Sequence, residues 1–356
     1  MEPAGKIDEI PCRQPGRVFG CDREGEALHT QQHNGTSWLA IDAEAAARAI
    51  EDAIRRQVAG FRRRGAVVGL SGGIDSSVVT TLCVRALGAE RVQVVLMPER
   101  DSSPESLTLG RQLTSQLGTP VLVENIAPIL QAAGCYARQD EAIRMAFPEY
   151  AEGYKYKITL PSIIDGDRLN VSELTIENPS GARKTSRMPA PAYLQLIAAT
   201  NYKQRVRKMT EYYHADRLNY VVAGTPNRLE YDQGFFVKLG DGSADIKPIA
   251  HLYKTQVYAL AEYLGVPEEI RKRPPTTDTF SLPQTQEEFY FALPYGQMDL
   301  CLYGLNHGFS AAETAKAAGL TAEQVERVYR DIEQKRRTTR YLHARPELVE
   351  AISEVR

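Results

Sequence analysis

Apolar residues recur along this chain in two periods, and the points where one gives way to the other mark its elements. From Ala40 to Arg64, residues Ala43, Ala47, Ile50, Ile54, Val58 and Phe61 fall at helical spacing, and Arg55, Arg62, Arg63 and Arg64 crowd the end where cations suit the helix dipole. This helix leads into the apolar run Val67-Val68, which breaks at Gly69 to Ser77 into small and hydroxyl residues before Val78-Val79-Thr80-Thr81-Leu82 resumes. That order reads as a buried strand, a tight turn and a second helix. Val92 to Met97 is another strand-like run, and Ser103-Pro104-Glu105 after it is a helix start, with proline in the first turn and a carboxylate complementing the dipole. Leu107 to Leu117 then predicts helix, Val121 to Val123 strand, and Ile126 to Ala133 helix. Such alternation predicts parallel βαβ units, hence an α/β fold on a doubly wound parallel sheet with ligands at the carboxyl ends of its strands.

The rhythm fails between about 140 and 192. Tyr154 to Leu160 and Leu169 to Ile176 each alternate at a strand period around Asp165-Gly166, a good turn pair, which predicts an inserted β-hairpin. Asn178 to Arg187 is basic and loop-like, either a solvated surface loop or a lid over a site. Helix returns from Tyr193 to Arg217. The strand Tyr220 to Ala223 then delivers Gly224-Thr225-Pro226-Asn227-Arg228-Leu229-Glu230 to the same sheet edge as the first turn, where Thr225 and Glu230 can offer oxygens beside Asp75. Farther on, Ala311 to Ala318 and Thr321 to Arg330 predict two helices joined at Gly319-Leu320, superficially a DNA-binding helix-turn-helix followed by Lys335-Arg336-Arg337. In a chain of net charge −2, a packing element with a basic tail is the better reading.

Composition narrows the class. With 43% hydrophobic and 25% charged residues over 356 positions, the chain is soluble and globular, and nothing argues for wholesale binding to nucleic acid. No apolar run approaches the roughly 18 residues of a membrane span, and the N-terminus lacks a secretory layout, so a cytoplasmic protein without membrane contact is expected. Cys12, Cys21, Cys83, Cys135 and Cys301 are odd in number and scattered, which predicts reduced thiols rather than disulfides or a zinc site. Residues 1–38, rich in Gly, Pro, Gln and His, predict an irregular arm. Residues 39–345 form one domain carrying the insertion at about 140–192, and 346–356 a C-terminal tail.

The candidate chemistry begins at Ser71-Gly72-Gly73-Ile74-Asp75-Ser76-Ser77. Gly72 and Gly73 let the backbone turn tightly and approach a ligand, while the first amides of the following helix lack internal partners at the positive end of its dipole. An anion belongs there, most simply a phosphate chain. An ordinary strand-to-helix turn also uses Gly and Ser, but not Ser, Gly, Gly, Asp, Ser and Ser within seven positions. The spacing is neither that of a P-loop nor that of a dinucleotide fingerprint. It resembles the pyrophosphate loop of the ATP pyrophosphatases, which cleave ATP to AMP and pyrophosphate while adenylating an oxygen.

Further stretches extend the resemblance. Pro98 to Ser106, Asn201 to Arg207, Gly224 to Glu230, Gly234 to Asp245, Pro248-Ile249, Leu252 to Thr255, Pro274 to Thr279 and Gln284 to Glu287 are colinear, and as a set they are similar to the NAD synthetase family, ammonia-dependent type. The resemblance implies a Rossmann-like ATP pyrophosphatase fold and a ligase that adenylates the nicotinate carboxylate of deamido-NAD and lets ammonia displace AMP. It implies Asp75, Lys254 and Thr277 as catalytic residues. Ser71, Gly72, Gly73, Ser76, Ser77, Thr225 and Lys254 would hold ATP, with Arg100 at its adenosine end. Arg205, Lys238, Asp241 and Asp245 would meet the dinucleotide, and Asp75 and Glu230 would hold magnesium, the hard cation that ATP brings. A homodimer is implied too, with ammonia either free or supplied by a separate glutaminase, since the N-terminal arm is too short to be one. Three features depart from the family pattern: the insertion, Phe289 to Pro294 after Gln284 to Glu288, and Pro226 in the metal loop. They lie on the substrate-facing side more than on the ATP side, so a ligase of the same mechanism acting on another carboxylate is the alternative. A non-catalytic nucleotide-binding regulator is a third reading, and a tRNA-modifying relative is disfavoured by the lack of paired cysteines and a basic face.

Overall fold

The computed structural model describes residues 38–160, 163, 172–276, 279–352 and 354. The N-terminal arm up to residue 37, the Asp165-Gly166 turn and Thr277 lie outside them. The chain enters through α1 (Ala43–Gly60), capped by the Asp42 carboxylate, which accepts from the Ala45 amide at 2.9 Å. Then follow β1 (Ala66–Gly69), α2 (Ile74–Leu87), β2 (Val92–Leu96), α3 (Pro104–Leu117), β3 (Val121–Val123), α4 (Ala127–Ala132) and α5 (Cys135–Arg144). As its sequence predicts, α3 starts on an N-cap, with Ser103 Oγ accepting from Glu105 N. The inserted strands β4 (Lys155–Thr159), β5 (Glu173–Glu177) and β6 (Arg183–Arg187) come next, then the long α6 (Ala190–Leu218), β7 (Val221–Ala223), α7 (Arg228–Gln233), α8 (Lys254–Tyr263) and α9 (Glu268–Lys272). A wide helical turn at Glu287–Phe291 precedes α10 (Tyr295–Asn306), α11 (Ala311–Ala318) and α12 (Ala322–His343).

The main sheet is parallel, in the order β3-β2-β1-β7. Because strand side chains alternate, each strand feeds two cores. Ala66, Val68, Val92, Val94, Val221 and Ala223 face the layer of α1, α2, α3 and α8. Val67, Val95 and Val222 face the layer containing Leu130 of α4, Tyr136 of α5 and Val206 of α6. Burying each of these valines contributes roughly 1.5–3 kcal/mol, and a one-residue register slip would exchange the two sets. The chain crosses the sheet from β1 to β3 in one direction and returns as β7 on the other side of β1. That reversal opens a crevice between the carboxyl ends of β1 and β7, both of which end in a polar turn.

The insertion contains the expected hairpin, β4 paired antiparallel with β5, and a third strand beyond it. The stretch read as a basic loop divides into a turn, where the Asn178 carboxamide accepts from Ser180 N and Ala182 N, and β6. Every residue of β6 is exposed, so Arg183 to Arg187 carries no apolar alternation to announce it. Tyr156, Ile158, Leu174 and Ile176 of the first two strands pack on Ile143 of α5 and Leu196 of α6. At the C-terminal end α10, α11 and α12 share one core through Met298, Cys301, Ala315, Val325 and Val328. The basic residues there serve the fold: Arg336 grips Asp232 with two bonds of 2.6 and 2.8 Å, and Lys335 pairs with Asp331.

Candidate active site

The turn after β1 is held in shape by its own hydroxyls. Ser76 Oγ donates to the Gly73 carbonyl at 3.0 Å and Ser77 Oγ to the same oxygen at 2.8 Å, while Ser71 Oγ lies 3.1 Å from Ser76 Oγ and accepts from Gly73 N. Gly72 sits at φ +74°, and a Cβ there would stand 2.6 Å from the Ser106 carbonyl oxygen, so only glycine lets the loop lie against α3. Gly73 is the N-cap of α2 and brings no side-chain acceptor. Ser71, Gly73, Asp75 and Ser76 line a cavity of about 540 Å³. A helix start with free amides at such a cavity is an anion site.

Three charged side chains meet beside this turn. The Asp75 carboxylate receives the ammonium of Lys254, which is wholly buried, and the Asn227 side-chain amide at 3.1 Å. Asn227 also caps α7, its carboxamide oxygen accepting from Glu230 N while Glu230 Oε2 accepts from Asn227 N at 3.1 Å. The cap thus fixes Glu230, whose other oxygen takes a bond from the Gln286 amide at 3.2 Å. Burial and then the charge of Asp75 push the Glu230 carboxyl up to about 8. Burial alone would pull the Lys254 ammonium down, but the charges of Asp75 and Glu230 outweigh it and raise its pKa. Lys254 begins α8, where Asp299 accepts from the Lys254 and Thr255 amides at 3.2 and 2.7 Å.

The cavity also has a cationic lining. Arg205, Arg207 and Lys208 of α6, Lys238 and Arg273 all line it, along with the Asp241 carboxylate. Burial pushes the Asp241 carboxyl up, partly offset by the bond it accepts from Val237 N at 2.8 Å. Lys238 Nζ donates to the Tyr341 carbonyl of α12 at 2.8 Å, and the Arg205 guanidinium donates to the Lys238 carbonyl at 3.3 Å. Lys208 and Glu211 form a buried pair at 2.5 Å, close under Gly69, where a Cβ would meet Glu211 Oε1.

The NAD synthase family model matches residues 46–153 and 161–341. The chain belongs to the NAD synthase family. It is 62% identical over 317 residues to an NH(3)-dependent NAD(+) synthetase of Mesorhizobium japonicum, covering 89% of this chain and 99% of the relative. The corresponding Rhizobium meliloti protein is 58% identical over 317 residues, 89% of this chain and 95% of its own. The Thermotoga neapolitana protein of the same name is 39% identical, over 71% of this chain and 81% of its own. Among solved structures, an NH3-dependent NAD synthetase from Campylobacter jejuni superposes with a TM-score of 0.58 at 23% identity, covering 87% of this chain and all of the other. An NMN synthetase from Francisella tularensis reaches 0.59 at 20% identity, covering 88% of this chain and all of the other. At these identities both show the fold alone.

Ser71, Gly73, Asp75, Ser76, Thr225, Glu230, Arg205, Lys238 and Asp241 all line this cavity. Gly72 and Ser77 support the loop from behind. Asp245 does not line the cavity: its carboxylate accepts from Val222 N at 2.7 Å and from the Tyr212 hydroxyl at 3.2 Å. Arg100 is also set back, stacked 4.0 Å over the Tyr136 ring and paired with Asp101. Thr276 lines the cavity, and Thr277 lies outside the described residues. Asn227, Gln286, Arg207, Lys208 and Arg273 escaped the sequence reading as individual residues. Asn227 had a legible signal, since an Asn three positions before a Glu is a capping box. Gln286 had none, because its partner Glu230 is distant in the chain.

Proposed function

We infer that this chain is an ammonia-dependent NAD synthetase, a ligase that uses ATP to join ammonia to the nicotinate carboxylate of deamido-NAD. The observation carrying this reading is the 62% identity that spans 99% of a relative so named, on a chain whose phosphate turn, buried lysine and carboxylate pair form one site. A free carboxylate is a poor electrophile. Transfer of AMP to it, with the bond to pyrophosphate breaking, creates a leaving group that ammonia then displaces.

We assign the β-γ end of ATP to Ser71, Gly73, Ser76 and the first amides of α2, where the helix dipole and free N–H groups favour phosphate. Lys254 neutralises charge building on departing pyrophosphate, and its burial makes that interaction stronger than in water. Asp75 and Glu230 fit a magnesium ion: they are hard oxygen donors whose mutual repulsion already raises Glu230, a cost that a divalent cation removes. When bound, magnesium would supply charge neutralisation at the phosphates. Arg205, Lys238 and Asp241 would hold the dinucleotide, with Lys238 fixed by α12. We also place the protein in the cytoplasm, where the buried thiols Cys83, Cys135 and Cys301 would stay reduced, and expect the homodimer typical of the family.

Incubation of the pure protein with ATP, magnesium, ammonium and deamido-NAD is expected to yield NAD, AMP and pyrophosphate in equal amounts. A parallel arm offering the mononucleotide acid separates dinucleotide from mononucleotide synthesis. Turnover of the mononucleotide with none of deamido-NAD would overturn the assignment.

A further inference from the structure

The inserted sheet is bonded to one particular segment of the domain. Tyr156 N of β4 donates to Ser281 Oγ at 2.9 Å, and Leu282 N donates to the Tyr156 carbonyl at 3.0 Å. The Gln284 side-chain amide donates to the Ile158 carbonyl, Leu160 N donates to the Glu288 carbonyl at 3.0 Å, and Lys157 pairs with the Glu288 carboxylate at 3.2 Å. Strand β4 therefore has β5 on one edge and residues 281–288 on the other. From the far side, the wholly buried Lys203 of α6 donates to the Thr279 carbonyl at 2.8 Å while its charge is met by Glu99 and Asp101.

The clamped segment returns on itself. Thr276 bridges to Thr285 in antiparallel fashion, and Gln286 N donates to the Pro275 carbonyl at 3.0 Å. Its inner face carries Thr276, Gln286, Phe289 and Tyr290 to the cavity wall. Gln286 then connects this segment to the ATP end: it accepts from the Tyr295 hydroxyl at 2.6 Å and donates to Glu230 Oε1 at 3.2 Å. With its carboxamide fixed at both ends, Gln286 has one way to face Glu230.

We propose that the inserted sheet is a brace for residues 281–289, and that Gln286 is the positioning residue through which this brace sets the Glu230 carboxylate. The idea rests on the ATP-site reading for its kinetic consequence, but not for its structural one. The brace is a property of this chain's own β4, independent of which acid is adenylated.

The test uses the full-length protein with Lys157→Ala and Ser281→Ala combined, both outside the cavity, and separately Gln286→Ala. Losing contacts of this kind costs about tenfold in local opening. Amide exchange at 284–289 is therefore expected to rise about tenfold in the double variant, and KM for ATP to rise severalfold more than kcat falls. Lys157→Arg with Ser281→Thr is expected to restore both. Gln286→Ala is expected to raise KM for ATP without changing exchange in β4. A double variant with a lowered melting temperature but unchanged exchange at 284–289 and unchanged KM would overturn the brace. Because exchange is read without substrate, a wild type that makes no NAD would sink the functional reading and leave this result standing.

Discussion

Replacing Lys254 with Met isolates the electrostatic core of the site. Methionine matches the lysine stem in length and flexibility, so the packing beneath α8 survives and the charge alone is lost. Lys254 is wholly buried and Asp75 is 15% exposed, so the substitution strands a carboxylate that has little water to turn to. Breaking a buried pair costs about 3–5 kcal/mol. One feature pulls this case to the low end, about 3 kcal/mol: Asp75 keeps the Asn227 amide and opens to the cavity. The Lys254 pKa is raised in the folded state, so its contribution is fully present below the ordinary lysine value and fades only as pH rises beyond it. Urea unfolding at pH 7 therefore reads the whole effect. Single-turnover release of pyrophosphate should fall about 10²–10³-fold, the usual consequence of removing a preorganised charge at a leaving group. A variant within about 0.5 kcal/mol of wild type, a change typical of an uninvolved surface residue, and equally fast would refute the assigned role.

Other positions give separable outcomes. Asp245→Asn removes half of a support that ties β7 to α6 through Val222 N and Tyr212, so it should lower the unfolding midpoint by about 1–2 kcal/mol while leaving KM for deamido-NAD unchanged in steady-state kinetics. Burial pushes the Asp299 carboxyl from 3.8 up to about 6, partly offset by the Thr255 and Lys254 amides. The folded protein then holds a proton that the unfolded chain has released, so wild type loses stability as pH rises from about 4 through about 6, by up to about 3 kcal/mol. Asp299→Asn should match wild type near pH 4 and flatten that decline, as urea midpoints across the range would show.

Much of the fold could be read from the chain, for a physical reason. Strands buried on both faces must be apolar throughout, so Val67, Val94 and Val222 announce themselves, and the helix start at Ser103 follows from orphan amides needing acceptors. Strand β6 lacked that signal because its side chains face water on both sides. Helix α5 carried one that was overlooked, with Cys135, Tyr136, Gln139, Ala142 and Ile143 buried at helical spacing. Within the site, the turn at Ser71 to Ser77 was legible because its geometry demands residue types that few other structures demand. Gln286 was not, because a glutamine acquires its role only from a partner 56 positions away.

This contrast explains how the two halves of the cavity differ. The phosphate end is built from backbone: a φ that Gly72 alone tolerates, amides of a helix start, and caps such as Asn227, all local and tied to sheet topology. The acceptor end is built from long side chains that converge from α6, the segment after α7, and α12, each placed by something else. Lys238 is held by a carbonyl 103 positions away, and Arg205 by the Lys238 carbonyl. Backbone geometry tolerates few changes, whereas converging side chains can be re-aimed by shifting a helix or adding a strand. The turn after β1 is thus set by the sheet, and the side-chain lining by the elements packed around it.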